Sequence, residues 1–245
     1  MGGCYTERSL LFNLELLADD PFAFFVLFSA LGTAILLGLV LHEASHAFAA
    51  DRLGDGLPRA SGRLTLNPLA HLHPAGTLMI ALVGFGWAKP VPVNPNAAKN
   101  PKSALAITAF AGPATNFIIA AVASIPFRLG TLEWFSLYRS VDTSGWGADE
   151  YAGYYMSTIV LISIILGVFN LIPIAPLDGF KVAIGILPRD LSRSFARLER
   201  LGPVLLISLI ALPFITGGRV SLLGDVMRPV IGTLTEFFTG IDVQL

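Results

Sequence analysis

The chain has 245 residues, 54% of them hydrophobic and 13% charged, with a formal net charge of −1. A soluble domain carries about 25% charged residues, so this composition, with a mean hydropathy of +0.70, places most of the surface in lipid. The near-neutral balance gives no electrostatic basis for binding nucleic acid, and the single Cys4 excludes an internal disulfide.

Met1 to Asp20 carries Glu7, Glu15, Asp19 and Asp20 and lacks a basic start followed by a clean apolar core, so residues 1–21 are expected to be an N-terminal segment rather than a secretory signal. Phe22 to Leu41 then runs without a charge and is long enough for a transmembrane helix. It leads directly into His42-Glu43-Ala44-Ser45-His46. Histidines four apart on a helix share one face, about 6 Å apart along the axis, so both imidazoles can bind one metal ion, with zinc the default. The plainer alternative is a structural pair in a helix bundle. Against it, Glu43 is an ionisable group at the end of an apolar span, where its cost points to a function.

Asp51 to Lys102 holds Arg52, Arg59, Arg63, Lys89, Lys99 and Lys102, which marks it as cytoplasmic. Its polar part, Gly54 to Gly76, is expected to line water access. Thr77 to Trp87 is apolar but too short to span, and reads as re-entrant. Trp87 to Pro95, with Pro90, Pro92 and Pro95, is either a plain loop or an exposed edge that pairs with an extended peptide. Ser103 to Phe127 is a second charge-free span, followed by Arg128 to Glu150 with only Arg128 and Arg139 as cations. Tyr151 to Leu177 is a third, which Pro173 and Pro176 must stop. Arg189, Arg193, Arg197 and Arg200 recur at helical spacing opposite Leu191, Phe195, Leu198 and Leu201, a basic amphipathic pattern suited to the inner leaflet. Leu201 to Gly218 is a marginal fourth span containing Pro213, and Val220 to Ile241 reads as an interfacial helix.

These elements predict an all-α membrane protein, a polytopic helical bundle with a re-entrant or short β-like segment near the active site. The expected organisation is an N-terminal segment (1–21), a membrane-embedded core (22–218) and a C-terminal interfacial segment (219–245). Charge bias puts the histidine pair toward the cytoplasmic side.

A catalytic zinc needs a third protein ligand and an open position. His71, His73 and the acidic residues are candidates. Asp178 is the best placed, because it lies in the proline-broken run 169–179, and unwound backbone at membrane depth is tolerated only where it is buried in protein or lines a polar cavity.

With these residues in view, the chain resembles the site-2 protease family of intramembrane zinc metalloproteases. The matching elements are His42-Glu43-x-x-His46 and Asn170-Leu-Ile-Pro-x-x-Pro-Leu-Asp178-Gly. Further matches are Asn67-Pro-Leu-Ala-His71, Gly86-Trp-Ala-Lys-Pro-Val-Pro-Val-Asn94-Pro and Ala111-Gly-Pro-Ala-Thr-Asn116. The chain departs at His73, where similar relatives often carry an aspartate before the proline. The resemblance implies that His42, His46 and Asp178 hold one zinc ion per chain, that Glu43 is the general base, and that Asn116 helps to polarise the scissile carbonyl. It also implies that the partners are lipid and a transmembrane protein or peptide substrate. The competing readings are a membrane zinc-binding or transport protein without proteolysis, and an idle scaffold that binds membrane helices. Glu43 separates these from a protease, since a transport site needs no base beside the metal.

Overall fold

The charge-free run that opens at Phe22 folds as one helix, α1 (Pro21–Arg52), which continues well beyond its apolar stretch. The computed structural model describes residues 17–18, 20–76, 88–137, 143 and 145–243. Asp20 caps α1 by accepting from the Ala23 N–H at 3.0 Å, and Pro21 occupies the first turn, where its missing N–H costs nothing. At 1.5 Å per residue, the 32 residues of α1 span about 48 Å, against about 30 Å of hydrocarbon. The helix therefore exceeds the hydrocarbon thickness by about three turns.

Two short helices follow, α2 (Leu57–Ala60) and α3 (Pro68–His71), then a 3-10 turn at Pro95–Ala97. The second long helix is α4 (Pro101–Ala123), with α5 (Ile125–Arg128) appended after Ser124. The third is α6 (Ala148–Asn170). Beyond a proline-containing turn lie α7 (Asp178–Ile186), α8 (Arg189–Ala196), a 3-10 turn (Arg197–Arg200), α9 (Gly202–Ile215) and α10 (Leu222–Thr239).

Three helices, α1, α4 and α6, are long and apolar enough to cross a membrane, so the chain is a multi-pass all-α membrane bundle, as its composition predicts. Among the described residues there is no strand, only an isolated antiparallel bridge between Leu72 and Ala88. The expected re-entrant segment Thr77 to Trp87 lies outside the described residues. The stretch Leu201 to Gly218 differs from a straight span: α9 has 14 residues, about 21 Å, and meets the helical pair Arg189–Arg200 at a 64° bend.

Packing follows the small residues. The buried face of α1 runs Ala23, Leu27, Ala30, Ala34, Gly38, His42, His46, Ala50, a step of three or four each time. Small side chains let helix backbones approach closely where lipid supplies no hydrophobic drive. At Gly38 an added Cβ would lie 2.7 Å from the Leu166 side chain of α6. The buried face of α4 is equally regular: Ala104, Thr108, Gly112, Asn116, Ala120. Away from these faces, Phe22, Phe25, Ile107, Phe110, Ile118 and Val122 are exposed, as lipid-facing residues are. At one end Ala120, Phe127, Val160, Leu161, Ile164, Met227 and Ile231 form an apolar core that joins α4, α5, α6 and α10.

Gly167 of α6 packs on Phe117 of α4, where a Cβ would lie 2.7 Å from the ring, whereas Gly32 has open space around it. Gly167→Ala is expected to cost about 1–3 kcal/mol by overpacking, with Gly32→Ala close to neutral. Thermal unfolding in detergent micelles checks this; equal transitions for the two variants would contradict the packing.

Candidate metal centre

His42 and His46 are the continuation of the small-residue stripe on α1, and so face the bundle rather than lipid, at 6% and 7% exposure. Their rings lie 4.6 Å apart and nearly perpendicular. The third group arrives from the far side of α6. That helix stops at Asn170, and the chain turns through Pro173 and Pro176, neither of which has an N–H to extend a helical ladder. It resumes at Asp178, the first residue of α7. Gly179 makes the reversal feasible: a Cβ there would fall 2.1 Å from the Leu171 carbonyl oxygen. The Asp-Gly pair is therefore a helix start held close beneath the preceding helix, not a free turn.

Asp178 Oδ2 lies 3.0 Å from His42 Nε2 and 3.0 Å from His46 Nε2. The three donor atoms fall within 4.8 Å of one another, and all three residues are buried. Zinc bonds of about 2.0–2.1 Å at tetrahedral angles put donor atoms about 3.3 Å apart, close to the 3.0 Å that separates Asp178 Oδ2 from each imidazole nitrogen. The hydrogen bonding is compatible with such an ion. His46 Nδ1 lies 2.6 Å from the Thr108 carbonyl, which can only accept, so Nδ1 carries a proton. A neutral imidazole then has a lone pair at Nε2, facing a carboxylate oxygen. Two electron-rich atoms at 3.0 Å require a positive charge between or upon them.

Helix α4 closes the site. Thr108, Gly112 and Asn116 lie four residues apart on its buried face. In the turn before Pro113, whose ring has no N–H to give the Ala109 carbonyl, the Thr108 carbonyl accepts from His46. Gly112 comes next, where a Cβ would lie 2.5 Å from both His42 Nε2 and His46 Nε2. Only glycine leaves that volume open. One turn on, the fully buried Asn116 amide lies 3.1 Å from His42 Nδ1, on the ring edge that does not face Asp178. Glu43, three residues before His46 on the same helix, is half-buried, and its side chain forms no hydrogen bond among the described residues. Lys181, one turn along α7, has its ammonium 4.0 Å from Asp178 Oδ1.

The other loop histidines stay outside this group. His71 is fully buried and donates from Nε2 to the Thr65 carbonyl at 2.8 Å, and His73 Nδ1 accepts from the Gly76 N–H at 3.3 Å. His71 thus packs inside the loop rather than lining an open path. Two buried charges brace the same region. Arg63 donates to the Ala70 and Lys89 carbonyls, and Asp55 accepts from the Leu57 and Asn94 N–H groups at 3.0 and 2.5 Å. Thr108 and Gly112 escape a reading by residue type, since one contributes a backbone carbonyl and the other an absence of side chain. The four-residue spacing back from Asn116 is the signal that finds them.

The family model described as peptidase family M50 matches residues 142–212, which contain α6, the turn and Asp178. Among curated relatives, YwhC of Bacillus subtilis is 31% identical over 197 residues, covering 77% of this chain and 87% of that protein. Rip2 of Mycobacterium tuberculosis is 28% identical over 209 residues, covering 81% and 73%. Rip3 of the same species is 30% identical over 220 residues, 86% of this chain but 46% of Rip3. All three are named as candidate zinc metalloproteases. No solved structure matches the chain.

Gly112→Ala is expected to force the imidazoles away from Asp178 and to lower metal affinity at least tenfold, with the helical content kept. Metal analysis of purified protein after chelator titration checks this, and wild-type affinity in the variant would contradict the geometry.

Proposed function

The chain belongs to peptidase family M50, the site-2 protease family, and from that premise we propose that it is an intramembrane zinc metalloprotease. It hydrolyses a peptide bond in or near a transmembrane helix of a client membrane protein. His42, His46 and Asp178 hold one zinc ion and Glu43 is the general base. The observation that carries this reading is the convergence of two Nε2 atoms on one carboxylate oxygen, each 3.0 Å from it, from helices separated by more than a hundred residues.

Zinc bound there supplies Lewis-acid chemistry, acidifying water and polarising a peptide carbonyl. The chain supplies the rest. Glu43, with no hydrogen bond to satisfy among the described residues, takes the proton from the attacking water at its carboxylate and passes it to the leaving amine. Thr108 keeps the His46 ring turned toward Asp178 through the Nδ1–H bond. The membrane-embedded core is residues 22–218, flanked by segments 1–21 and 219–245. The excess of Lys and Arg between Asp51 and Lys102 orients the site toward the cytoplasm.

A helical client hides its peptide bonds in its own ladder and must be drawn out before it is cut. Residues 88–94 suit that task. Lys89 N–H is held by the His71 carbonyl at 2.7 Å, the Lys89 carbonyl by Arg63, and the Asn94 N–H by Asp55. Between these anchors no described residue takes up the Val91 or Val93 backbone, so an extended peptide can pair there.

Glu43→Gln is expected to keep zinc and to lower cleavage of a labelled transmembrane peptide by about 10²–10⁴-fold. Retained cleavage would remove Glu43 from the mechanism, and zinc uptake into vesicles with no hydrolysis in the wild type would favour transport instead. Asp55→Ala frees one anchor of the 88–94 segment and is expected to lower kcat/KM about tenfold, with zinc content unchanged. Unaltered kinetics with that variant would show that the segment does not receive the client.

A further inference from the structure

On the zinc reading of the site, we infer that Asn116 is a positioning residue for His42: its side-chain carbonyl accepts the Nδ1–H and so reserves the Nε2 lone pair for the metal. The role implied by resemblance is different, namely polarising the scissile carbonyl. The geometry speaks for positioning. Asn116 is fully buried, its amide nitrogen placed 3.1 Å from His42 Nδ1, with the imidazole ring between the amide and Asp178, and the positioning role exchanges the two ends of that amide.

An asparagine amide has a donor end and an acceptor end of nearly equal size, exchanged by a half-turn of the side chain. The two orientations have opposite consequences at His42. With the NH2 group toward Nδ1, that nitrogen must accept, the ring proton sits on Nε2, and the histidine can hydrogen-bond Asp178 but cannot bind a metal. The Asn116 carbonyl oxygen then stays buried with no hydrogen-bond partner. With the carbonyl toward Nδ1, the proton sits on Nδ1, and Nε2 presents its lone pair 3.0 Å from Asp178 Oδ2. This second orientation repeats at His42 what the Thr108 carbonyl does at His46. The two acceptors stand two turns apart on α4, on either side of Gly112, whose missing Cβ opens the space between the Nε2 atoms. One helix face thus sets the tautomer of both imidazoles, and a ligand whose outer nitrogen is held this way binds its metal about 10–100-fold more tightly.

The test compares wild type, Asn116→Leu and Asn116→Asp, purified in detergent, by zinc affinity in chelator competition and by 15N NMR of histidine-labelled, zinc-loaded protein. Asn116→Leu keeps the volume and removes the acceptor, and zinc affinity is expected to fall about 10–100-fold. Asn116→Asp keeps an acceptor and is expected to stay within a few-fold of wild type. In the wild type, the His42 spectrum should show a protonated Nδ1 and a metal-bound Nε2. Wild-type zinc affinity in Asn116→Leu, with cleavage lost, would overturn the proposal alone and return Asn116 to the substrate. A His42 ring bound through Nδ1 would overturn it whatever the variants do, even if Asn116→Leu fails to fold. Wild-type protein that takes up no zinc would overturn the zinc reading and this proposal with it.

Discussion

Two imidazole nitrogens and a carboxylate oxygen held within 4.8 Å of one another, in the buried polar end of a helical bundle, need a proton or a cation among them. Much of this fold serves to impose that arrangement. The stripe on α1 turns both imidazoles inward, and the turn after Asn170 returns the chain so that α7 begins on its carboxylate. Helix α4 supplies a backbone acceptor, a vacancy and a side-chain amide at three successive turns. A bundle designed only for stability would place alanine or leucine at all six positions and avoid the desolvation of polar groups altogether. Their convergence is what a site able to hold a cation requires.

The two ends of the bundle divide the labour. At one end, Val160, Leu161, Ile164, Met227 and Ile231 pack α6 against α10 in an apolar core with no ionisable member. At the other, polar groups are buried in pairs with defined partners: His46 with Thr108, His42 with Asn116, Asp55 with Asn94, Arg63 with Lys89. In a low-dielectric interior such hydrogen bonds are strong, and leaving one unmade is costly. The polar end therefore holds its geometry by directional bonds while the apolar end holds the helices together by contact.

Much of this was legible in the sequence, and the exceptions have physical causes. The uncharged run from Phe22 and the four-residue histidine spacing announced α1, yet hydropathy marked only its apolar part, because a helix continues through any residues that keep its ladder. Pro173 and Pro176 announced the end of α6 for the reason that they cannot donate. Leu201 to Gly218 was apolar enough for a span, but the 64° bend before it is a tertiary feature, and its 14-residue helix is shorter than composition suggested. Arg63 counted as one more cytoplasmic cation in the sequence. The fold buries it to 6% exposure on two carbonyls, which no pattern of charges could reveal.

Helix α4 explains why glycine and proline stand side by side in the middle of a membrane span. Gly112 is needed because the imidazoles occupy the place of its side chain, and Pro113 leaves the Ala109 carbonyl without its helical donor in the same turn that gives the Thr108 carbonyl to His46. Both features weaken an isolated helix. They are sustained because the flanking turns are anchored, by Asn116 on His42 toward one end and by Ala104 and Thr108 on the buried face toward the other. A rotation of α4 by a single residue, about 100°, would take the Thr108 carbonyl, the Gly112 opening and the Asn116 amide away from the histidines together and put Ala111 or Pro113 in the place of the glycine. The register of one helix and the chemistry of the metal site are thus the same constraint: neither can change while the other is kept.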